Sequence, residues 1–190
     1  VLVLQAETPS DGTVEAVRIA EQVGARVVLN LAPYRATTSD VLAVADPLIV
    51  NEGEARALLG WEGGELDEHA LQTGISTVAR SAIVTLGGRG ALAVADGRSV
   101  AVRAPRVEVV DTTGAGDAFT GATAAALAVI GYDVGAAMRA GVAVAAIAVG
   151  GRGAQASYPT RHDLTESGLA DRYGLTHLLH VLEQAAHGHA

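Results

Sequence analysis

Between Asp111 and Phe119 the chain reads Asp-Thr-Thr-Gly-Ala-Gly-Asp-Ala-Phe, with an acid on either side of a glycine-rich turn. A Val-rich run, Val107 to Val110, leads into the turn and predicts a strand; an Ala-rich helical run leads out. That order sets several backbone N–H groups and a helix N-terminus at one point, where they can hold a phosphate-like anion. A carboxylate beside such an anion is repelled by it, so Asp117 needs a chemical reason to stand there. One reason is general-base work: Asp117 takes a proton from a hydroxyl while the N–H groups hold a transferring phosphoryl group. The other is local, with Asp117 an N-cap and the glycines a tight turn. The pattern leaves both open.

Three further places invite the same question. Asn51-Glu52-Gly53-Glu54 falls where a strand gives way to a helix, and ligands of open α/β sheets gather at the carboxyl ends of strands. There Asn51 could touch a phosphate and Glu54 could hold Mg²⁺ through water, or the acids could simply cap a helix. Thr85-Leu86-Gly87-Gly88-Arg89-Gly90 also follows a strand; its glycines would let the backbone approach a nucleotide, or merely turn the chain. Glu7 closes the first strand, either to meet a substrate hydroxyl or as a solvated acid. The histidines lie mainly in the tail, at 162, 177, 180, 187 and 189; His177 and His180 have no carboxylate to complete a metal set and are read as surface residues.

The elements that must position these groups follow from apolar periodicity. Strands are expected at Val1 to Gln5, Arg26 to Leu31, Pro47 to Val50 and Ala82 to Leu86, and a hairpin around Asp96-Gly97. Helices are expected at Thr13 to Val23, Ser39 to Val44 with Ser39 as cap, Glu52 to Leu59 and Leu66 to Arg80. Two Ala/Val-rich buried helices, Asp117 to Ile130 and Val134 to Val149, precede an amphipathic helical tail from Arg161. Strands alternating with helices argue for a mostly parallel sheet covered on both faces.

Composition narrows the function. The 13 Lys+Arg against 21 Asp+Glu give a net charge of −8 and no basic stripe, which excludes nucleic acid as the expected partner. Without cysteine there is no disulfide, thiolate metal site or cysteine nucleophile. The longest apolar stretch, Ala140 to Gly151, is about 12 residues, far below the roughly 20 that a spanning helix needs. Val1-Leu2-Val3-Leu4 is not a basic n-region, so no signal peptide is expected. A cytoplasmic protein without membrane contact is expected.

In order, Leu4-Gln5-Ala6-Glu7, Asn30-Leu31-Ala32-Pro33, Asn51-Glu52-Gly53-Glu54, Val84 to Gly90, Asp111 to Phe119 and Ile147 to Gln155 resemble the ribokinase-like (PfkB-type) carbohydrate kinase family. The likeness spans roughly residues 1 to 160, and the Asp-Thr-x-Gly-Ala-Gly-Asp signature is its most specific part. It implies a three-layer α/β/α fold with a mostly parallel central sheet, truncated at its N-terminus. Residues 1–160 would be the C-terminal nucleotide-binding and catalytic part, and 161–190 a helical extension. The implied reaction passes the γ-phosphoryl group of ATP to a sugar hydroxyl, ribose or a similar sugar. By the resemblance Asp117 is the catalytic base, and Gly114, Ala115 and Gly116 form the anion hole. Glu7, with Asp117, meets the sugar. Asn51, Thr85, Leu86, Gly87, Gly88, Arg89, Gly90, Gly116 and Val142 serve the nucleotide. Glu54 supports Mg²⁺ through water, and Asp111, Thr113, Ala148, Gly151, Gly153 and Ser157 match the shell of a monovalent cation, K⁺.

Two departures qualify the implication. Val142 stands where the family often has a polar residue near the adenine. The family's first strands, Gly-Gly sugar motif, substrate Asp and β lid have no counterpart in this sequence, and they would supply sugar contacts and exclude water. The isolated chain is therefore expected to bind nucleotide weakly and to phosphorylate sugar poorly or not at all. A sheet cut at Val1 would expose an edge, so a homo-oligomer, pairing with another chain, or a fragment of a longer kinase is expected. A non-catalytic nucleotide-binding module, or the same chemistry on a nucleoside or sugar phosphate, remains as an alternative.

Overall fold

The computed structural model describes residues 1–62, 67–131 and 133–187. They form two compact units, Val1–Ala101 and Val102–Ala190. The first is built on six strands: β1 (Leu2–Gln5), β2 (Val27–Asn30), β3 (Ala45–Asn51), β4 (Ser81–Thr85), β5 (Ala91–Ala95) and β6 (Arg98–Val102), which reaches the unit boundary. They lie side by side in chain order. β1 to β4 run parallel, and β5 turns back against β4. Four helices join the parallel strands: α1 (Ser10–Gln22), α2 (Ser39–Val44), α3 (Glu52–Leu59) and α4 (Glu68–Ile75). β2 is buried at every position, as a strand covered on both faces must be. Leu29, Leu48, Val50 and Val84 join Val17, Val41, Leu71 and Ile75 in the core.

The mostly parallel α/β sheet matches the expectation. The hairpin does as well: Asp96 and Gly97 both take positive φ, 51° and 68°, as a type I′ turn demands. Boundaries moved where polar residues blur the apolar period. α1 starts at Ser10, ahead of the apolar positions that announced it, and Thr38, not Ser39, caps α2 by accepting from Val41 N–H. α4 stops at Ile75 rather than Arg80, because the Ser76 and Thr77 hydroxyls take the carbonyls of Gln72 and Gly74 and turn the chain. Leu66, the expected start of that helix, lies outside the described residues.

The second unit is helical: α5 (Ala115–Ile130), α6 (Val134–Ala148), α7 (Arg161–Glu166), α8 (Leu169–Arg172) and α9 (Thr176–His187). α5 and α6 pack closely because Gly141 has no side chain; a Cβ there would sit 2.5 Å from Thr123 Oγ1 and 2.9 Å from Phe119. Two expectations fail here. Val107 to Val110 is not a strand. Val110 N–H and Asp111 N–H both donate to Val149 O, at 2.8 and 3.2 Å, but no strand ladder forms along the run. The tail from Arg161 is three helices instead of one. Its predicted apolar residues Leu164, Leu169, Tyr173 and Leu178 are indeed buried, but Gly168 and Gly174, at φ +70° and +67°, break the rod into pieces.

Candidate functional site

The glycine turn is built from its backbone outward. Gly114 takes the left-handed conformation (φ 78°) as N-cap of α5, and no side chain caps the helix. Ala115, Gly116 and Asp117 are therefore the first three helical residues, at the end of a helix where backbone N–H groups outnumber their helical carbonyl partners. Ala115 N–H turns back to Thr112 O at 3.2 Å, and Ala118 N–H donates to Gly114 O at 2.9 Å. Asp117 is thus the third residue of the helix and exposed, not its N-cap, and as an acid in the first turn it is favoured by the helix dipole.

The two glycines of the turn differ. A Cβ on Gly114 would lie 2.9 Å from Ala154 and 3.0 Å from the Tyr158 hydroxyl, whereas one on Gly116 would meet nothing within 4 Å. Packing demands a glycine at 114 only. At 116 the bare backbone leaves open space over the first turn of α5, which suits a ligand's phosphate.

Asp111 ties this turn to the second glycine loop. Its Oδ1 accepts from Thr113 N–H (2.9 Å) and from the Thr113 hydroxyl (2.7 Å), and its Oδ2 accepts from Gly153 N–H (2.9 Å). These bonds, the Thr113 hydroxyl foremost, hold its carboxyl below the ordinary value. Gly151 lies so close to Ser157 that a Cβ would come within 2.8 Å of the serine Cβ, and Gly151 N–H donates to Ala148 O at 3.1 Å. Of the six residues expected around a monovalent cation, Asp111 thus meets Thr113 and Gly153, and Gly151 meets Ala148 and Ser157. A carboxylate with lone pairs to spare, two hydroxyls and backbone carbonyls form an oxygen set that fits a hard cation.

In the first unit, the parallel strands deliver their ends to one edge. Gln5 pairs with Asn30, and Asn51 with Thr85, at the carboxyl ends of β1 to β4. Glu7 stands exposed in the turn just beyond β1. Asn51 and Glu54 form a capping box: Asn51 Oδ1 accepts from Glu54 N–H at 2.9 Å, and Glu54 Oε2 from Asn51 N–H at 2.7 Å. Burial raises the Glu54 carboxyl, opposed by the Asn51 N–H. A half-buried carboxylate at a strand end suits a hydrated Mg²⁺, which needs one or two protein carboxylates with waters and substrate phosphates. Among the described residues no three acids or histidines gather as a closed metal cage.

The turn after β4 is a short 3₁₀ helix, Gly87–Arg89, closed by Leu86 N–H to Gly90 O at 2.8 Å. Thr85 Oγ1 leans towards Val50 O at 3.5 Å, and Arg89 pairs with Glu52 at the start of α3. Gly87 and Gly90 have positive φ, whereas Gly88 does not and its Cβ would be unobstructed. Val142 lies in α6 of the second unit, buried to 5% exposure.

Sequence reasoning stopped at Ser157 and missed Tyr158. The tyrosine is half-buried, its hydroxyl stands against Gly114, and burial first, then the Asp117 charge, push its phenol upward. In a chain with four tyrosines, an aromatic one residue beyond a cation-shell position was the available signal.

The fold and turn agree with a family match: the chain belongs to the pfkB family carbohydrate kinases, matched over residues 2–161. It is 37% identical over 173 residues to the ribokinase of Haemophilus influenzae, covering 87% of this chain and 54% of that protein. It is 36% identical over 168 residues to the deoxyribokinase of Salmonella typhi, covering 87% and 55%. Among solved structures it resembles the Arabidopsis thaliana ribokinase complexed with ribose and ATP, with a TM-score of 0.78, 26% identity, and coverage of 86% of this chain and 54% of that one. The chain spans about half the length of the curated relatives it matches.

Proposed function

We propose that this chain carries the nucleotide-binding and phosphoryl-transfer machinery of a ribokinase-like kinase, ATP donating to a hydroxyl of a pentose such as ribose or deoxyribose. The observation that carries the reading is the first turn of α5: uncapped, open over Gly116, with Asp117 beside it and Asp111 pinning the loop. Asp117 accepts the proton of the sugar hydroxyl as its oxygen attacks the γ-phosphorus in line, and ADP leaves. The N–H groups of Gly114, Ala115 and Gly116 face the charge that develops on the transferring group. Asn51 and the turn from Thr85 to Gly90 serve the nucleotide, and Glu7 the sugar. Val142 contributes an apolar wall for the base. Mg²⁺ held through water at Glu54 and K⁺ in the cluster around Asp111 would supply the positive charge that offsets the phosphates.

Residues 1–160 are read as the catalytic part and 161–190 as a helical extension. No helix among the described residues is long and apolar enough to cross a membrane, and the ATP requirement points to the cytoplasm. Exposed Val3 on the edge strand β1 supports pairing with a second chain. The test is a coupled assay of ADP formation with ribose or deoxyribose, Mg²⁺ and K⁺, beside calorimetric ATP titration. In a complete kinase that contains this sequence, Asp117→Asn is expected to lower turnover by at least about 10³-fold, the scale of a lost general base, with ATP affinity held within about twofold. Turnover that survives the substitution, or no ATP binding by the wild type, contradicts the reading.

A further inference from the structure

We propose that Glu52 is a positioning residue for the nucleotide: its carboxylate fastens Arg89, and with it the turn from Thr85 to Gly90, to the start of α3. Arg89 then serves the nucleotide through that bond and not by gripping a phosphate. The inference rests on the phosphoryl-transfer reading above. Gly87-Gly88-Arg89-Gly90 has a single side chain by which it can be held. The backbone bonds that shape the turn close on the turn itself: Leu86 N–H to Gly90 O, Arg89 N–H to Leu86 O and Gly90 N–H to Gly87 O. With three glycines in four residues, such a turn has much conformational freedom to lose. Its one side chain crosses to the neighbouring strand end, where Arg89 Nη2 donates to Glu52 Oε2. The other carboxylate oxygen, Glu52 Oε1, stands 3.8 Å from Arg56 Nη2 one turn along α3.

The two ends joined by this pair are those read above as serving the nucleotide. Asn51 caps α3 next to Glu52 and pairs in register with Thr85, from which the turn departs. A turn already fastened loses less entropy when a ligand arrives. Direct pairing with a phosphate is the competing role for Arg89, and Glu52 opposes it. A carboxylate on the guanidinium offsets its charge and repels an approaching phosphate. The two side chains are 61% and 34% exposed, and an ion pair so placed contributes little to the stability of the whole fold. Its effect belongs to the turn.

The experiment is calorimetric titration of ATP and ADP, with Mg²⁺ and KCl, into the wild type, Glu52→Ala, Arg89→Ala and the double variant, beside thermal melting. Each single substitution is expected to weaken both nucleotides by about threefold to fivefold, the scale of an exposed pair that orders a turn. The double variant should lose no more than either single one, because the two residues act as a unit. Melting temperatures should stay within about four degrees of the wild type. The sign of the Glu52→Ala effect is decisive: removing a negative charge near the phosphates would by electrostatics alone leave ATP binding equal or tighter. That outcome, or single losses that multiply in the double variant, overturns the proposal. If Glu52→Ala does not fold, Arg89→Ala decides: equal losses for ATP and ADP support fastening, and a larger loss for ATP, the mark of direct phosphate pairing, overturns it. A wild type that binds neither nucleotide overturns the functional reading and this inference with it. Wild-type binding with no weakening in Glu52→Ala removes the inference alone.

Discussion

Gly114 and Gly116 are two residues apart and answer to different masters. Gly114 is required by its own backbone, at φ 78°, and by Ala154 and Tyr158 at 2.9 and 3.0 Å from any Cβ. Gly114→Ala is therefore expected to cost at least about 2 kcal/mol, combining left-handed strain with a clash, measurable by denaturant unfolding. Glu54 gives a second residue-scale test. Glutamine can still complete the capping box with Asn51, so Glu54→Gln should leave the melting temperature within about two degrees. It should, however, reduce the Mg²⁺-dependent gain in ATP affinity by about tenfold; an unchanged Mg²⁺ response would remove Glu54 from the metal site. At this scale the sequence was most legible. Asp111, Thr113 and Gly153 were named together from the family resemblance, and Asp111 is hydrogen-bonded to both of the others. Tyr158 escaped because nothing in its spacing distinguishes a core aromatic from one that leaves its hydroxyl over a turn.

At the scale of elements, the helices and parallel strands of the first unit could be read because their apolar periods are unbroken, as in Val27 to Asn30. The failures share a cause. Strand-like residues make a strand only if a neighbour completes the ladder, and Val107, Val109 and Val110 stay exposed at 40%, 59% and 48%. The tail kept its apolar face but lost its continuity at Gly168 and Gly174. One of its pieces carries a pH signature. α7 is capped by a box in which Asp163 Oδ2 accepts from both the N–H and the hydroxyl of Thr160, and these bonds hold the Asp163 carboxyl below its ordinary value. A carboxyl lowered by folding stabilises the native state above its unfolded pKa, about 3.9, and loses that contribution as pH falls through the lower native value. Thr160→Val should thus lower the melting temperature by a few degrees near neutrality. The deficit should shrink below about pH 4; a deficit independent of pH would mean the box does not set the stability of α7.

For the molecule as a whole, two features stand out: a net charge of −8 and an apolar sheet edge. An acidic chain repels ATP at a distance, so binding must rest on local donors and cations at the turns rather than on the overall field. The pairing proposed above would cover this edge. Val1, just before β1, and Val3 within it are 51% and 44% exposed, and Val23 at the end of α1 is 72% exposed. Sedimentation at tens of micromolar is expected to show a dimer or larger assembly, and Val3→Lys to shift it towards monomer; a monomeric wild type would refute the pairing.

The central claim, that the first turn of α5 is a phosphate site and not merely a helix start, is tested most directly at Gly116. Alanine there meets no atom within 4 Å and suits a helix better than glycine by up to about 1 kcal/mol. Calorimetric ATP titration and thermal melting of Gly116→Ala should show an equal or higher melting temperature together with at least a tenfold (about 1.4 kcal/mol) loss of ATP affinity. Unchanged affinity in the folded variant would contradict the account.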